Sequence, residues 1–404
     1  MASPAVPSHH ELDVDNRRVF VRVDFNVPLG EGGTVRDDTR IVASLPTLRS
    51  LIERGAKLVL ASHLGRPKGG YEAKYAMEPV AGRLAELLST EVRVPTDEVV
   101  GDAATKLVAD LRPGQLVLLQ NLRFHPGETK NDPKFSQALA QLCDAYVNDA
   151  FGASHRAHAS VVGVPGLVRA HAAGDLLLAE CKALSRLLDA PERPFVAIVG
   201  GAKVSDKLGV LISLVERLAA GDTLVVGGAM ANTFLGAGGA NLGASLMERD
   251  RYSDCRMVLE KAAARDIRVL LPTDLRIGGG VDAKLARRMP AAGGLGEGEM
   301  ALDIGPDSAD AIAKVIASAK MVLWNGPMGL FENPAFAEGT LTVARALAEC
   351  RGFTVVGGGD SVAAIQQAGV ADRIGHVSTG GGASLEFIEG KLLPGVAALK
   401  PEGV

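Results

Sequence analysis

The feature that most constrains this chain is a set of short apolar runs that do not alternate with polar residues. They are RRVFVRVDF (17–25), KLVLASHL (57–64), QLVLLQNL (115–122), CDAYVNDAF (143–151), FVAIVGG (195–201), TLVVGG (223–228), RVLLPTD (268–274), MVLWNG (321–326) and FTVVGGG (353–359). A strand with one wet face alternates, whereas a run of Val, Ile and Leu on both faces needs cover on both sides. Helical patterns lie between the runs, among them SLPTLRSLIERGA (44–56) and RYSDCRMVLEKAAARD (251–266). The alternation predicts an α/β fold of two doubly wound domains with mainly parallel sheets. At 404 residues the chain is long for one core, and 47% hydrophobic content can fill two. The helical stretch GDLLLAECKALSRLLDAPERP, ended by Pro191 and Pro194, reads as the join. We expect a first domain over 1–175, an inter-domain helix over 176–190 and a second domain over 191–387. The tail 388–404 is too short to stand alone and must pack on one of them.

Composition excludes several classes. A net charge of −4 and 4% aromatics argue against nucleic-acid binding. Cys143, Cys181, Cys255 and Cys350 are far apart and form no CxxC pair, so they read as thiols in a reducing compartment. The N-terminus lacks the pattern of a secretory signal, and no apolar run reaches membrane-spanning length. A soluble cytoplasmic protein is expected.

The polar residues at the strand ends differ between the halves. The first half offers Asp24 and Asn26, then Arg40, His63 with Arg66, Arg123, and His155, Arg156 and His158. In open α/β sheets, ligands bind beyond the carboxyl ends of the strands. If these ends converge they surround a small polyanion, which suits the planar fork of Arg. Any one of these residues taken alone is more often a surface or salt-bridge group. The second half offers glycine turns: GGAKVSDK with Lys203 and Lys207, Gly227–Gly228 before Met230 and Phe234, and GGGDS with Gly358, Gly359, Asp360 and Ser361. Lys203 and Lys207 share a face if a helix has begun there. Met230 and Phe234 read as core rather than an adenine wall. Asn325 stands in an Asn-Gly-Pro turn, and Glu332 could accept from ribose hydroxyls. No Walker A motif and no GxGxxG occur, so neither nucleotide fingerprint applies. Glycine N–H groups at a helix start suit phosphate. Asp360 beside them reads, in isolation, as a helix N-cap or as a ligand for a hard cation that arrives with phosphate.

Together the blocks RVDFNVP, SHLGRP, FGASHRAHAS, GGAKVSDK, WNGPMGLFE, GGGDS and STGGGASLE resemble the phosphoglycerate kinase family, in its order, from Val21 to Glu386. The resemblance implies two domains with the active site in a cleft between them. It implies phosphoryl transfer from 1,3-bisphosphoglycerate to Mg-ADP, giving 3-phosphoglycerate and Mg-ATP. Asp24, Asn26, Arg40, His63, Arg66, Arg123 and Arg156 match triose-binding positions, and Arg40 and Lys203 the groups that flank the transferred phosphoryl. Lys207, Gly227, Gly228, Asn325, Glu332, Gly358, Gly359, Asp360 and Ser361 match nucleotide positions, with Asp360 at the Mg2+. It further implies a monomer, small-molecule partners only and a tail that returns to the first domain. Excluding water from the transfer calls for closure about a hinge, expected at the helix ends and at 376–382. Three positions depart from the pattern. Gln120 replaces an acid, Ala301 a glycine near the adenine site, and Gly236 a frequent lysine.

Overall fold

The computed structural model describes residues 6–96 and 98–400. Residues 1–5 of the expected first domain and 401–404 of the expected tail lie outside the described residues. The chain divides into two compact units, one running to Lys182 and resuming at Leu392, the other spanning Ala183–Lys391.

The first unit is built on strands β1 (Arg18–Arg22), β2 (Lys57–Ala61), β3 (Val92–Arg93), β4 (Leu116–Leu118), β5 (Ala145–Asn148) and β6 (His171–Ala173). They form one parallel sheet in the order β3-β4-β2-β1-β5-β6. Each central strand is apolar because it is covered on both faces, with Val19, Val21, Leu58 and Leu60 fully buried beneath Leu48 and Leu51 of helix Thr39–Glu53. Residues from Leu392 pack here too. The Gly395 amide donates to the Ser154 carbonyl at 2.8 Å, and Asn148 Nδ2 donates to the Gly395 carbonyl at 3.2 Å.

The second unit carries β7 (Phe195–Val199), β8 (Thr223–Val226), β9 (Arg268–Leu270), β10 (Asp274–Gly278), β11 (Arg287–Pro290), β12 (Met300–Ile304), β13 (Met321–Asn325), β14 (Phe353–Gly357) and β15 (His376–Val377). Six of these make a parallel sheet, β15-β14-β13-β7-β8-β9, and β11-β10-β12 make a small antiparallel one. All nine apolar runs of the sequence contain a strand. The antiparallel sheet was not legible, because its strands are wet on one side and carry Arg276, Arg287, Arg288 and Asp303 within them.

Helix Asp175–Asp189 contains the boundary between the units. Its start is held by the fully buried Asp149, whose Oδ1 accepts the Leu176 and Leu177 amides at 3.0 and 3.3 Å. Near its end, Arg186 lies over the Phe353 ring at 4.2 Å.

Candidate functional site

In the first unit the strand ends converge. Arg22, the last residue of β1, is wholly buried. Its Nε donates to Ser160 Oγ at 2.8 Å, another nitrogen donates to the Val23 carbonyl, and Nη2 lies 3.2 Å from His63 Nδ1. A guanidinium can only donate, so His63 Nδ1 is the acceptor and Nε2 carries the ring proton. Arg40 Nη1 donates to Asp24 Oδ2 at 2.8 Å, and Asp24 Oδ1 has no hydrogen bond among the described residues. Asn26 Oδ1 holds the Gly65 amide at 2.8 Å, which shapes the loop bearing Arg66, and Arg123 donates to the Gly65 carbonyl. Arg66, Arg123 and Arg156 then line one open pocket of about 610 Å3 with Lys68, His125, Lys130 and His158.

The electrostatics of this cluster are strained. Burial, and then the charges of Arg22, Arg123, Arg156 and Arg40, push His63 well below its ordinary pKa. Burial and the charges of Arg156 and Arg22 bring Arg123 down to about 10, and burial lowers Arg156 as well. Glu128 is fully buried; burial raises its carboxyl, but His158, Arg22 and Ser160 together outweigh that and hold it below its usual range. Arg123 Nε has no hydrogen-bond partner among the described residues. Cations held this close with so few counter-charges are suited to an anionic ligand, which would relieve the repulsion.

Acid destabilisation follows from His63. Its folded pKa lies below its unfolded one, so the unfolded chain binds an extra proton once pH falls beneath about 6.5. Stability contributed at neutral pH is therefore lost on acidification below that point. Proton NMR of the ligand-free protein should show the His63 ring neutral at pH 6. A ring that titrates at its ordinary value would contradict the geometry.

In the second unit the turns after β7, β8, β13 and β14 meet. Glycine is required where they touch. A Cβ on Gly228, whose φ is +66°, would sit 2.5 Å from the Gly201 carbonyl and 2.8 Å from that of Pro327. The Gly227 and Gly228 amides donate to the carbonyls of Val199 and Met328, at 2.9 and 3.0 Å. Lys207 crosslinks these turns from within. Its Nζ donates to the Gly200 carbonyl at 2.7 Å, the Asn325 carbonyl at 3.1 Å and Asn325 Oδ1 at 2.7 Å. Burial brings its pKa down to about 8, against the upward pull of Asp360 and Asp206. Three acceptors use all three ammonium protons, so the charged form is the one the site is shaped for. Ser361 is buried and accepts the Gly326 amide at 2.5 Å. Asn325 Nδ2 is buried with no hydrogen-bond partner among the described residues.

Lys203 behaves differently. The helix begins only at Leu208, so the two lysines share no helical face. Lys203 stands exposed in the preceding loop. Asp360 is exposed as the second residue of helix Gly359–Gln367, whose cap is Gly358 at φ +90°. It is therefore not the N-cap.

Asp360 and Glu332 line a cavity of about 400 Å3 whose walls are mostly apolar, among them Leu246, Leu275, Met300, Ala301 and Met328, with Gly201 and Gly228 in its lining. Met230 and Phe234 do not line it; they are buried core. Ala301 presents its methyl group to this wall, and its amide donates to Ser245 Oγ at 2.8 Å. At Gly236 a Cβ would lie 2.4 Å from the Tyr252 hydroxyl, so Tyr252 occupies the space a longer side chain would need. Gln120 accepts the Met77 amide at 3.2 Å and donates to Glu78 Oε1 at 2.8 Å. An acid in its place would face Glu78 unfavourably.

Three participants escaped the sequence reading. Arg22 lies two residues before Asp24, a period-two spacing that could have flagged it. Glu128 and Asp303 had no such signal. Asp303 lines the second cavity, and burial raises its carboxyl to about 7 against hydrogen bonds from the Gly339 and Ile304 amides.

A cationic pocket on one parallel sheet, and a glycine-floored apolar cavity with an exposed carboxylate on another, define a two-unit α/β phosphotransferase. The profile of the phosphoglycerate kinase family matches residues 9–391. The chain is 53% identical over 389 residues to a phosphoglycerate kinase of Moorella thermoacetica, covering 96% of this chain and 98% of that one. It is 54% identical to one from Anaeromyxobacter dehalogenans, covering 96% and 97%. Its fold matches the structure of phosphoglycerate kinase from Coxiella burnetii with a TM-score of 0.87 at 40% identity, covering 98% of each chain. For that of Pyrococcus horikoshii the values are 0.84 and 33%, covering 97% and 98%. The chain belongs to the phosphoglycerate kinase family.

Proposed function

We propose that the first unit binds 3-phosphoglycerate or 1,3-bisphosphoglycerate and the second binds ADP or ATP with Mg2+, and that the chain moves one phosphoryl group reversibly between them. The observation that carries this reading is the repelling Arg cluster around His63, a site whose strain an acidic triose would relieve. Asp24, Asn26, Arg40, His63, Arg66, Arg123 and Arg156 are assigned to that substrate.

The reaction needs no general base. Its acceptor is a carboxylate, already ionised at neutral pH. His63 fits this, because its Nδ1 is occupied by Arg22 and its neutral ring can only offer a donor. Catalysis then reduces to bringing two anions into line and stabilising the charge on the moving group. Arg40 and Lys203 are assigned to that charge. The Gly358 and Gly359 amides are assigned to nucleotide phosphates, Glu332 to ribose, and the apolar cavity to adenine; Gly227 and Gly228, whose amides already donate to Val199 and Met328, are assigned to the close approach of the nucleotide to a backbone without side chains. Lys207, Asn325 and Ser361 hold the turns that aim those amides.

Mg2+ takes oxygen ligands and usually keeps carboxylate, phosphate and water around it. Asp360 fits as its protein ligand, being an exposed carboxylate on the cavity. The ion would neutralise phosphate charge. Asp360→Asn should raise the Mg2+ concentration needed for nucleotide binding on the order of tenfold, or ~1.4 kcal/mol. An unchanged Mg2+ dependence in calorimetry would remove Asp360 from this role.

The protein is read as a cytoplasmic monomer whose helix ends and residues 376–382 act as hinges, by family likeness and its four free thiols. No helix among the described residues is long and apolar enough to cross a membrane. The deciding experiment mixes the protein with ATP, Mg2+ and 3-phosphoglycerate and follows 1,3-bisphosphoglycerate through its coupled reduction. Product should form only when all three are present; its absence would overturn the assignment.

A further inference from the structure

The N-terminal HH pair plays no part in the function above. His9 is fully buried in a short 3-10 helix, His9–Glu11, which Ser8 and Glu11 cap reciprocally. That segment is fixed against the first unit, since the Ala173 amide donates to the Pro7 carbonyl at 2.8 Å. Both side chains reach the first residue of helix Asp175–Asp189. His9 Nε2 lies 3.2 Å from Asp175 Oδ2, and His10 Nε2 lies 3.0 Å from Asp175 Oδ1.

Two features set this cluster apart from an ordinary His–Asp contact. Among the described residues neither ring nitrogen of His9 finds a hydrogen bond of good geometry, although the ring is wholly buried. A buried imidazole left in that state is costly. The three ligand atoms also lie within 4.8 Å of one another. At Zn–N and Zn–O bond lengths of about 2.0–2.2 Å, tetrahedral ligand atoms stand about 3.3 Å apart. The 3.2 and 3.0 Å separations, each to a different Asp175 oxygen, are close to that spacing and put the carboxylate within reach of both rings.

We propose that His9, His10 and Asp175 form a site for one divalent transition-metal ion of the Zn2+ class, separate from the Mg2+ of the nucleotide. Two imidazoles select against Mg2+, which prefers oxygen. Three protein ligands leave a position for water. His10 and Asp175 are partly exposed, 56% and 34%, so the ion has a way in. An opposing charge is Arg54, whose Nη1 donates to the His9 carbonyl at 3.0 Å. The Asp175 carboxylate offsets it. A bound ion would staple residues 8–10 to the start of helix Asp175–Asp189. It would raise the stability of the first unit with the logarithm of metal concentration above the dissociation constant.

The test uses the full chain stripped with a chelator and titrated with Co2+. One ion per chain should bind, with visible bands of a low-symmetry nitrogen–oxygen site and no near-ultraviolet thiolate band. Zn2+ should displace it, Mg2+ should not, and Zn2+ should raise Tm. His10→Ala and Asp175→Asn are at partly exposed positions and avoid disturbing the buried His9. Each should weaken Co2+ binding at least about tenfold, comparable to or beyond what loss of an outer-shell partner costs, while circular dichroism stays unchanged. Absent visible bands, a thiolate band, or affinity unchanged in both variants would overturn the site.

Discussion

Arg40→Ala lowers turnover by about two to three orders of magnitude, the loss typical of removing one donor from a developing charge. Affinity for 3-phosphoglycerate changes far less. Arg40 occupies the first turn of helix Thr39–Glu53, where the helix dipole disfavours a cation. It is held there by Asp24 Oδ2 at 2.8 Å, with about a third of the side chain still exposed. A residue kept against its local preference, oriented yet reachable, suits a group that acts on substrate. Arg66, Arg123 and Arg156 retain the pocket in its absence. The check pairs the coupled assay with calorimetric binding of 3-phosphoglycerate. Near-normal turnover would remove Arg40 from the mechanism, and equal losses in binding and turnover would make it a binding residue only.

Lys203→Ala has the larger effect on the transfer step itself. A cation supplied to a migrating phosphoryl group is worth about 10³ in rate or more. Lys203 is exposed, and it makes no hydrogen bond or ion pair to any described residue. Its removal therefore leaves no buried group unsatisfied, and stability should move by no more than about 0.5 kcal/mol. Lys207 gives the contrast: its ammonium is committed to three oxygens, so Lys207→Ala would loosen the turns and confound the rate with folding. Rapid-quench single-turnover measurement separates transfer from product release. A transfer rate equal to the parent's would sink the assignment of Lys203.

Much of this was legible from the chain alone. The nine apolar runs are strands because a sequence buried on both faces has no other economical arrangement. Residues just past the first unit's strand ends, Asp24, His63 and Arg123 among them, come together because parallel strands deliver their carboxyl ends to one edge of a sheet. The helix over Asp175–Asp189 stops just before Pro191 and Pro194. Other features were hidden. The antiparallel sheet β11-β10-β12 has charged, half-wet strands whose pattern resembles loop. Lys207 and Lys203 look alike in GGAKVSDK, yet one is a buried crosslink and the other a free cation. Asp360 could not be told from a helix cap until the helix start was placed at Gly359, with Gly358 as the cap two residues before Asp360.

The sequence by itself determined the layer architecture, the family and the chemical types available at each strand end, because these depend on local composition and order. The tertiary structure alone decided which charges are satisfied. Only packing shows that Arg22 fills the acceptor of His63, that burial and four guanidinium groups hold that ring neutral, and that Gly228 lies where two carbonyls leave no room for a Cβ. Desolvation and close approach are properties of neighbours distant in the chain, and no local pattern encodes them.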